Sequence, residues 1–289
     1  MSHPTGTSGM PPYFGAPGFA DSYWIELLFN QLPALDLDAL DARLRAEVHG
    51  EVAVKVAGTK DGIVSVAFPD HLVNIGNGES EPVKLPALIN IVWSDSRIKL
   101  GDYKAALDQT WEWDGAQKAL GGCKYMMLIG DLTCSRLSYP DRFRLVTSVA
   151  VKCTELAKPL VCHWKEAGCL VEPAHVAEQL ARVCNVRLFD VSGGDHFMDT
   201  LGLAAIGLPD VQLEFSNLDP SWVAGWLYGV GRYLFEQGDV IKDGDVIPAP
   251  VAGEHWDCEH TFASVEPKRT VIRVSPGPRN QRATSRTEH

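Results

Sequence analysis

Apolar positions along this chain follow two rhythms: compact runs that read as strands, and repeats at three- and four-residue spacing that read as helices. YWIELLF at 23–29 is apolar and aromatic, as a strand requires. Residues 36–48 predict a helix, with Leu37, Leu40, Leu44 and Val48 on one face and acidic residues in its first turn. Residues 51–57 and 63–68 alternate and are separated by a glycine-bounded stretch at 58–62, the pattern of a hairpin; Pro69 and Asp70 read as a turn after it. The nearly continuous apolar runs at 88–93 and 125–132 predict strands covered on both faces. Between them, Tyr103, Leu107 and Trp111 stand four apart and predict a helix over 103–120, ended by Gly121 and Gly122. Residues 141–156 predict another helix, with Phe143, Val146, Cys153 and either Val149 or Ala150 inward. A short strand at 160–164 and a helix at 173–183, with proline at its start, follow.

The second half predicts strands at 186–191, 197–203 and 211–215. A long helix at 219–238 comes next, with Asp219 as N-cap, Pro220 in the first turn and Gly238 as the stop. Trp222, Val223, Trp226, Leu227, Val230, Tyr233 and Leu234 form one wide stripe on it, and one of Gly229 and Gly231 is expected to permit a close backbone approach. Ile247, residues 256–265 and a strand at 270–274 complete the pattern. The order implies an α+β fold with mixed or antiparallel sheets and helices packed on one face, with two ferredoxin-like halves as one arrangement of it. A doubly wound nucleotide-binding fold would need a glycine-rich strand-to-helix turn, which the chain lacks. The expected organisation is a disordered arm at 1–21, a single domain at 22–275 (divisible into 22–184 and 185–275), and a disordered basic tail at 276–289.

Charge narrows the partners. A net charge of −11 should repel nucleic acid and anionic lipid and favour a basic protein; it also serves solubility alone. No apolar run approaches the roughly 18 residues of a membrane span, and the N-terminal residues do not have the form of a signal peptide. The seven cysteines are odd in number, show no C-x-x-C spacing and fall in apolar runs, which suits buried thiols in a reducing cytoplasm.

Three clusters are candidates for chemistry. Asp190, Asp195, His196 and Asp199 bring carboxylates near an imidazole, enough for a metal or a general base, although Ser192-Gly193-Gly194-Asp195 is also an ordinary turn. A hydrolase-like or metal-dependent enzyme would use Asp195, His196 and Asp199. His255, Cys258 and His260 have types that bind zinc or copper, but on a strand 258 and 260 share a face that 255 does not. Asp108, Trp111, Glu112, Trp113 and Asp114 offer an aromatic anchor in an acidic rim, as interfaces do, or plain helical core packing. The G-x-S-x-G, H-E-x-x-H and phosphate-loop motifs are absent, and no cofactor is expected.

YWIELLF at 23–29, AFPDH at 67–71, QTWEW at 109–113, NVRLF at 185–189, MDTLGLAAIGLPDVQLEF at 198–215, WLYGVGRYLFEQGDVIKDGD at 226–245 and WDCEH at 256–260 together resemble a bacterial family known only as domain of unknown function 4261. That resemblance spans residues 22–275 and implies no reaction. The segment around Gly207, Leu208 and Pro209, followed by a tryptophan-bearing helix, also resembles immunity proteins of the suppressor-of-fused type. The expectation is a cytoplasmic interaction protein, an immunity protein or antitoxin that neutralises a basic secreted toxin or effector, in a context such as type VI secretion. The enzyme above and an adaptor in a secretion or stress pathway are the alternatives.

Overall fold

The computed structural model describes residues 22–277, apart from 49, 57–61, 76–82, 132, 178–182 and 192–194. The arm at 1–21, the turn at 58–61 and the tail beyond Gly277 lie outside the described residues.

Strand β1 (Trp24–Phe29) forms on the first apolar run. Helix α1 (Leu37–Glu47) starts where the Asp36 carboxylate accepts the Ala39 N–H at 3.0 Å, and it buries Leu40 and Leu44. Strands β2 (Ala53–Val56), β3 (Gly62–Ile75) and β4 (Val83–Trp93) follow. The turn expected at Pro69 and Asp70 is instead a register shift inside β3, between Phe68 and Leu72, where a proline without an N–H is tolerated. The helix expected over 103–120 is broken. A 3-10 turn (Leu100–Tyr103) leads into α2 (Lys104–Asp108), and α3 (Ala116–Gly121) begins only after a non-helical loop. Thr110 explains the break: its hydroxyl donates back to the Ala106 carbonyl at 2.7 Å and accepts the Leu170 N–H at 3.0 Å, so the chain leaves the helix to meet a strand.

Strand β5 (Tyr125–Asp131) precedes α4 (Tyr139–Ala157), capped by Ser138, which buries Phe143, Val146, Val149, Ala150 and Cys153. Strands β6 (Val161–Trp164) and β7 (Cys169–Val171) form a hairpin whose second arm has no counterpart in the sequence reading. The segment expected as helix from 173 opens as a 3-10 turn (Pro173–His175); residues 178–182 are not among those described. Strands β8 (Asn185–Asp190) and β9 (His196–Leu201) come next. The strand expected to reach 203 stops early because Gly202, at φ +128°, turns the chain into α5 (Leu203–Ile206). A side chain there would strike the Val183 carbonyl. Strand β10 (Asp210–Phe215), helix α6 (Pro220–Gln237) and strands β11 (Val246–Pro248), β12 (His255–Phe262) and β13 (Thr270–Ser275) complete the chain.

The fold is α+β. The first sheet has the order β2-β3-β4-β5-β1-β6-β7, antiparallel throughout. The second has the order β11-β12-β13-β10-β9-β8, and among its pairs only β10 and β13 run parallel. Seven- and six-stranded sheets in these orders replace the four-stranded ferredoxin-like units suggested by the alternation. Helices also cover both faces of the first sheet, not one. Ile25, Leu27 and Phe29 point into a core that includes α1 and α4 residues and runs on to Val274, while Leu28 on the opposite face packs with Tyr103, Ala106, Ala116 and Leu120. Among the described residues no helix is long and apolar enough to cross a membrane.

Helix α6 lies against β8, β9 and β10 through a narrower stripe than the pattern suggested: Val223, Leu227, Gly231 and Leu234 are buried. Trp222, expected inside, is 69% exposed and Tyr233 49%. Trp226 is half-buried, its indole edge-on to Trp256 at 5.3 Å and donating to the Pro248 carbonyl at 2.8 Å. The close approach falls at Gly231, where a Cβ would stand 2.8 Å from the buried Cys184 Sγ; one at Gly229 would meet nothing within 4 Å. Gly229→Ala should therefore stabilise the protein by about 1 kcal/mol through helix propensity. Gly231→Ala should lose that gain to about 1–3 kcal/mol of overpacking. Urea unfolding of the two variants beside the parent measures the difference, and equal gains would contradict the packing described.

Candidate functional site: a cleft between the sheets

The edge strand of each sheet, β7 and β8, meets the loop after α2 and the first turns of α6. Together they enclose a cleft of about 640 Å³. Its walls are mostly apolar: Leu170 and Val171 from β7, Val186 and Leu188 from β8, Met198 from β9 and Ala224 from α6. The loop 109–113 forms the lip and is fixed by Thr110 as described, so the side chains it carries are held by the first sheet. Trp111 stands on this lip 58% exposed. Glu112 lies beside it, Glu172 and His175 come from the segment after β7 with a 3.7 Å ion contact between them, and no Lys or Arg is among the lining residues. The charge at the mouth is therefore acidic.

Polar groups are few and placed. The Gln109 Oε1 is buried without a hydrogen-bond partner among the described residues. Asn185 donates its amide to the Gln109 main-chain carbonyl at 3.4 Å, tying β8 to the lip. A buried acceptor left unbonded is costly. Burial, with the Glu112 charge second, pushes the Cys169 thiol up to about 12, so it lines the cleft as an unreactive apolar group.

The structure places four of the five expected interface residues on the loop after α2, with Asp108 at the end of that helix, and divides them. Trp111, Glu112 and Trp113 line the cleft; Asp108, Trp113 and Asp114 line an adjoining hollow of about 490 Å³. Trp113 packs with the second apolar cluster, and Asp108 pairs with Lys104 at 2.5 Å. Trp111 is not stacked in a helix with Leu107, because the helix has ended. Sequence reasoning missed the opposite wall. Asn185, Ala224, Gly225 and Tyr228 show no local pattern, and only the meeting of the two sheets brings them together.

The other two clusters come apart. His196 and Asp199 lie on opposite faces of β9, as a three-residue separation on a strand dictates. The His196 ring leans on Phe215 at 5.4 Å. Asp199 is fully buried and accepts from Arg187 Nε and Nη2 at 2.9 and 2.6 Å and from Arg269 Nη2 at 2.6 Å. Residue Asp195 precedes the strand, its carbonyl accepting the Val191 N–H at 3.0 Å; Asp190 pairs with His196 in the ladder, and residues 192–194 are outside those described. Of the HWDCEH trio, His255 is exposed, Cys258 faces the core, and His260 is engaged by Asp243 at 2.8 Å and Asp239 at 3.1 Å. Among the described residues no three His, Cys, Asp or Glu side chains form a group fit to hold a metal ion.

The profile of the family described as domain of unknown function 4261 matches residues 199–275. The span holds Asp199, Asp210 and Arg269 and every strand of the second sheet after β9, whereas the expected likeness began at residue 22. The likeness to suppressor-of-fused-type immunity proteins finds no support in these comparisons. No curated protein and no solved structure matches the chain.

Truncating one member of a fully buried ion pair costs about 3–5 kcal/mol. Asp199→Ala should lose that much stability, whereas His196→Ala, which breaks no buried ion pair, should lose less. Chemical denaturation of both variants is the measurement; an Asp199→Ala protein as stable as its parent would return Asp199 to the candidate catalytic groups.

Proposed function

We propose that this protein acts by binding another protein, seating an apolar side chain with basic flanks in the inter-sheet cleft. The observation that carries this reading is the pairing of an apolar cleft with a mouth that, among the described residues, is acidic and without Lys or Arg, beside the exposed Trp111. A half-exposed tryptophan beside a pocket is the usual anchor of an interface, and surrounding carboxylates steer a basic partner toward it. The net charge of −11 extends the same field over the surface. A basic toxin or effector neutralised by direct contact, as by an immunity protein in the cytoplasm, is the partner we propose. The seven free, buried thiols fit a reducing compartment. An enzyme built on Asp195, His196 and Asp199 is disfavoured, since Asp199 is sealed between two arginines and faces away from His196.

Gly225 provides the test. It lines the cleft, and a Cβ added there meets nothing within 4 Å, so Gly225→Trp should fill the cleft and leave the fold intact. Peptides selected on the parent protein from a random display library should share an aromatic or aliphatic anchor flanked by Lys or Arg. Their affinity should fall at least about tenfold with Trp111→Ala or Gly225→Trp, the size of one lost interface anchor. The Glu112→Lys, Asp114→Lys pair should slow association and flatten its salt dependence. Binders indifferent to all of these changes would sink the reading. Co-expression with a toxin encoded beside the gene, with protection lost in the same variants, tests the narrower proposal.

A further inference from the structure

On the outer face of the first sheet, away from the cleft and sharing no lining residue with it, lies a second hollow of about 470 Å³. At its floor Glu26 and His163 are cross-strand neighbours in β1 and β6. They are 9% and 8% exposed, and His163 Nδ1 lies 2.8 Å from Glu26 Oε2. The Tyr103 ring stands edge-on to the imidazole at 5.3 Å, with its hydroxyl against Met126 Sδ at 3.8 Å and interacting with the Glu26 carboxylate. Burial raises the Glu26 carboxyl, but the bond and charge of His163, with Lys165, more than reverse this and hold it below its ordinary value. Burial and then the Glu26 charge push the Tyr103 phenol well above its own, so it stays neutral.

The pair therefore has one direction left. With Nδ1 engaged by the carboxylate, the imidazole has Nε2 to offer, and Nε2 makes no hydrogen bond among the described residues. Around it the hollow is lined by Arg97, Lys99 and Lys165 against a single further carboxylate, Asp102. Three cations gathered at one hollow run against a chain of net charge −11. Met126 and Leu128 add an apolar wall beside them. We propose that this hollow binds a small organic oxyanion, a phosphate or carboxylate group on an apolar body. The head rests on Arg97 and Lys165, joined by the His163 Nε2–H when the ring carries both protons, and the body lies on Met126 and Leu128. Arginine and lysine provide charge-assisted donors for the head, and Glu26 is a positioning residue that fixes the ring.

Calorimetry with phenyl phosphate, benzoate and phenol tests this, and the first two probes distinguish a phosphate from a carboxylate site. At least one anion should bind saturably at millimolar concentration or below, and phenol should not. The same anion should shift the imidazole resonance that is missing from the His163→Gln spectrum. Arg97 and Lys165 are exposed, so the double variant Arg97→Ala, Lys165→Ala should fold normally, and it should bind at least about tenfold more weakly. Lys165→Arg should bind as the parent does. Neither anion binding, phenol binding as well as the anions, or a double variant that binds like the parent would each overturn the proposal. If His163→Gln fails to fold, the calorimetric comparisons still decide it.

Discussion

Two carboxylates and two guanidinium groups sealed inside the second sheet hold the rest of the structure in place. Asp199 on β9 is gripped by Arg187 on β8 and by Arg269, which sits just before β13. Arg269 also reaches Asp210 at 3.0 Å, and Asp210 accepts the Thr200 hydroxyl and the N–H groups of Gly202, Leu203 and Ala204. Burial pushes the Asp210 carboxyl up, against the pull of Arg269 and the Thr200 bond. Charges at such depth are tolerated only when every donor and acceptor is met, so the four strands and the turn into α5 form together or not at all. Further guanidinium N–H groups go to main-chain carbonyls, that of Glu266 from Arg187 and those of Val265, Pro267 and Thr200 from Arg269. The parallel pairing of β10 with β13, the one departure from antiparallel order, is where this network crosses the sheet.

A second tie extends the constraint to the first sheet. Arg142 on α4 binds the Asp131 carboxylate of β5 at 2.6 Å and the Ala205 carbonyl of α5. Asp131 in turn accepts the Tyr23 N–H at 2.7 Å. The short α5 helix is thus held from both sides, by Asp210 at its start and by Arg142 of α4. The segment 198–215, most of it within the span matched by the family profile, is the stretch that threads these ties. Its Asp, Thr and Gly residues are accounted for as a buried scaffold, without invoking an active site.

What the sequence disclosed follows from the range of the forces involved. Elements fixed by local signals were legible: α6 from Asp219, Pro220 and Gly238, α4 from its apolar repeat, and the paired strands from their runs. Elements fixed by a distant partner were not. Thr110 ends α2 because Leu170, sixty residues on, offers an N–H, and nothing near residue 110 announces it. Trp222 satisfies the helical repeat, yet it lies on the edge of the stripe, where the sheet does not reach. The lip of the cleft was visible as an aromatic and acidic cluster, while its far wall was invisible because it is assembled by two sheets. The outer hollow did leave a trace: Glu26 is a lone charge inside YWIELLF and His163 interrupts the apolar VCHW, and a titratable residue on an otherwise apolar strand needs a partner.

The same ties bear on how the cleft works. One wall, β8, is anchored through Arg187 into the buried network; the lip is anchored through Thr110 to β7; and Asn185 joins the two through the Gln109 carbonyl. A cleft whose walls are fixed in this way loses little conformational freedom when it is filled, so more of the contact energy appears as affinity. Under the proposed binding role, the buried charges of the second sheet would hold the cleft ready for its occupant.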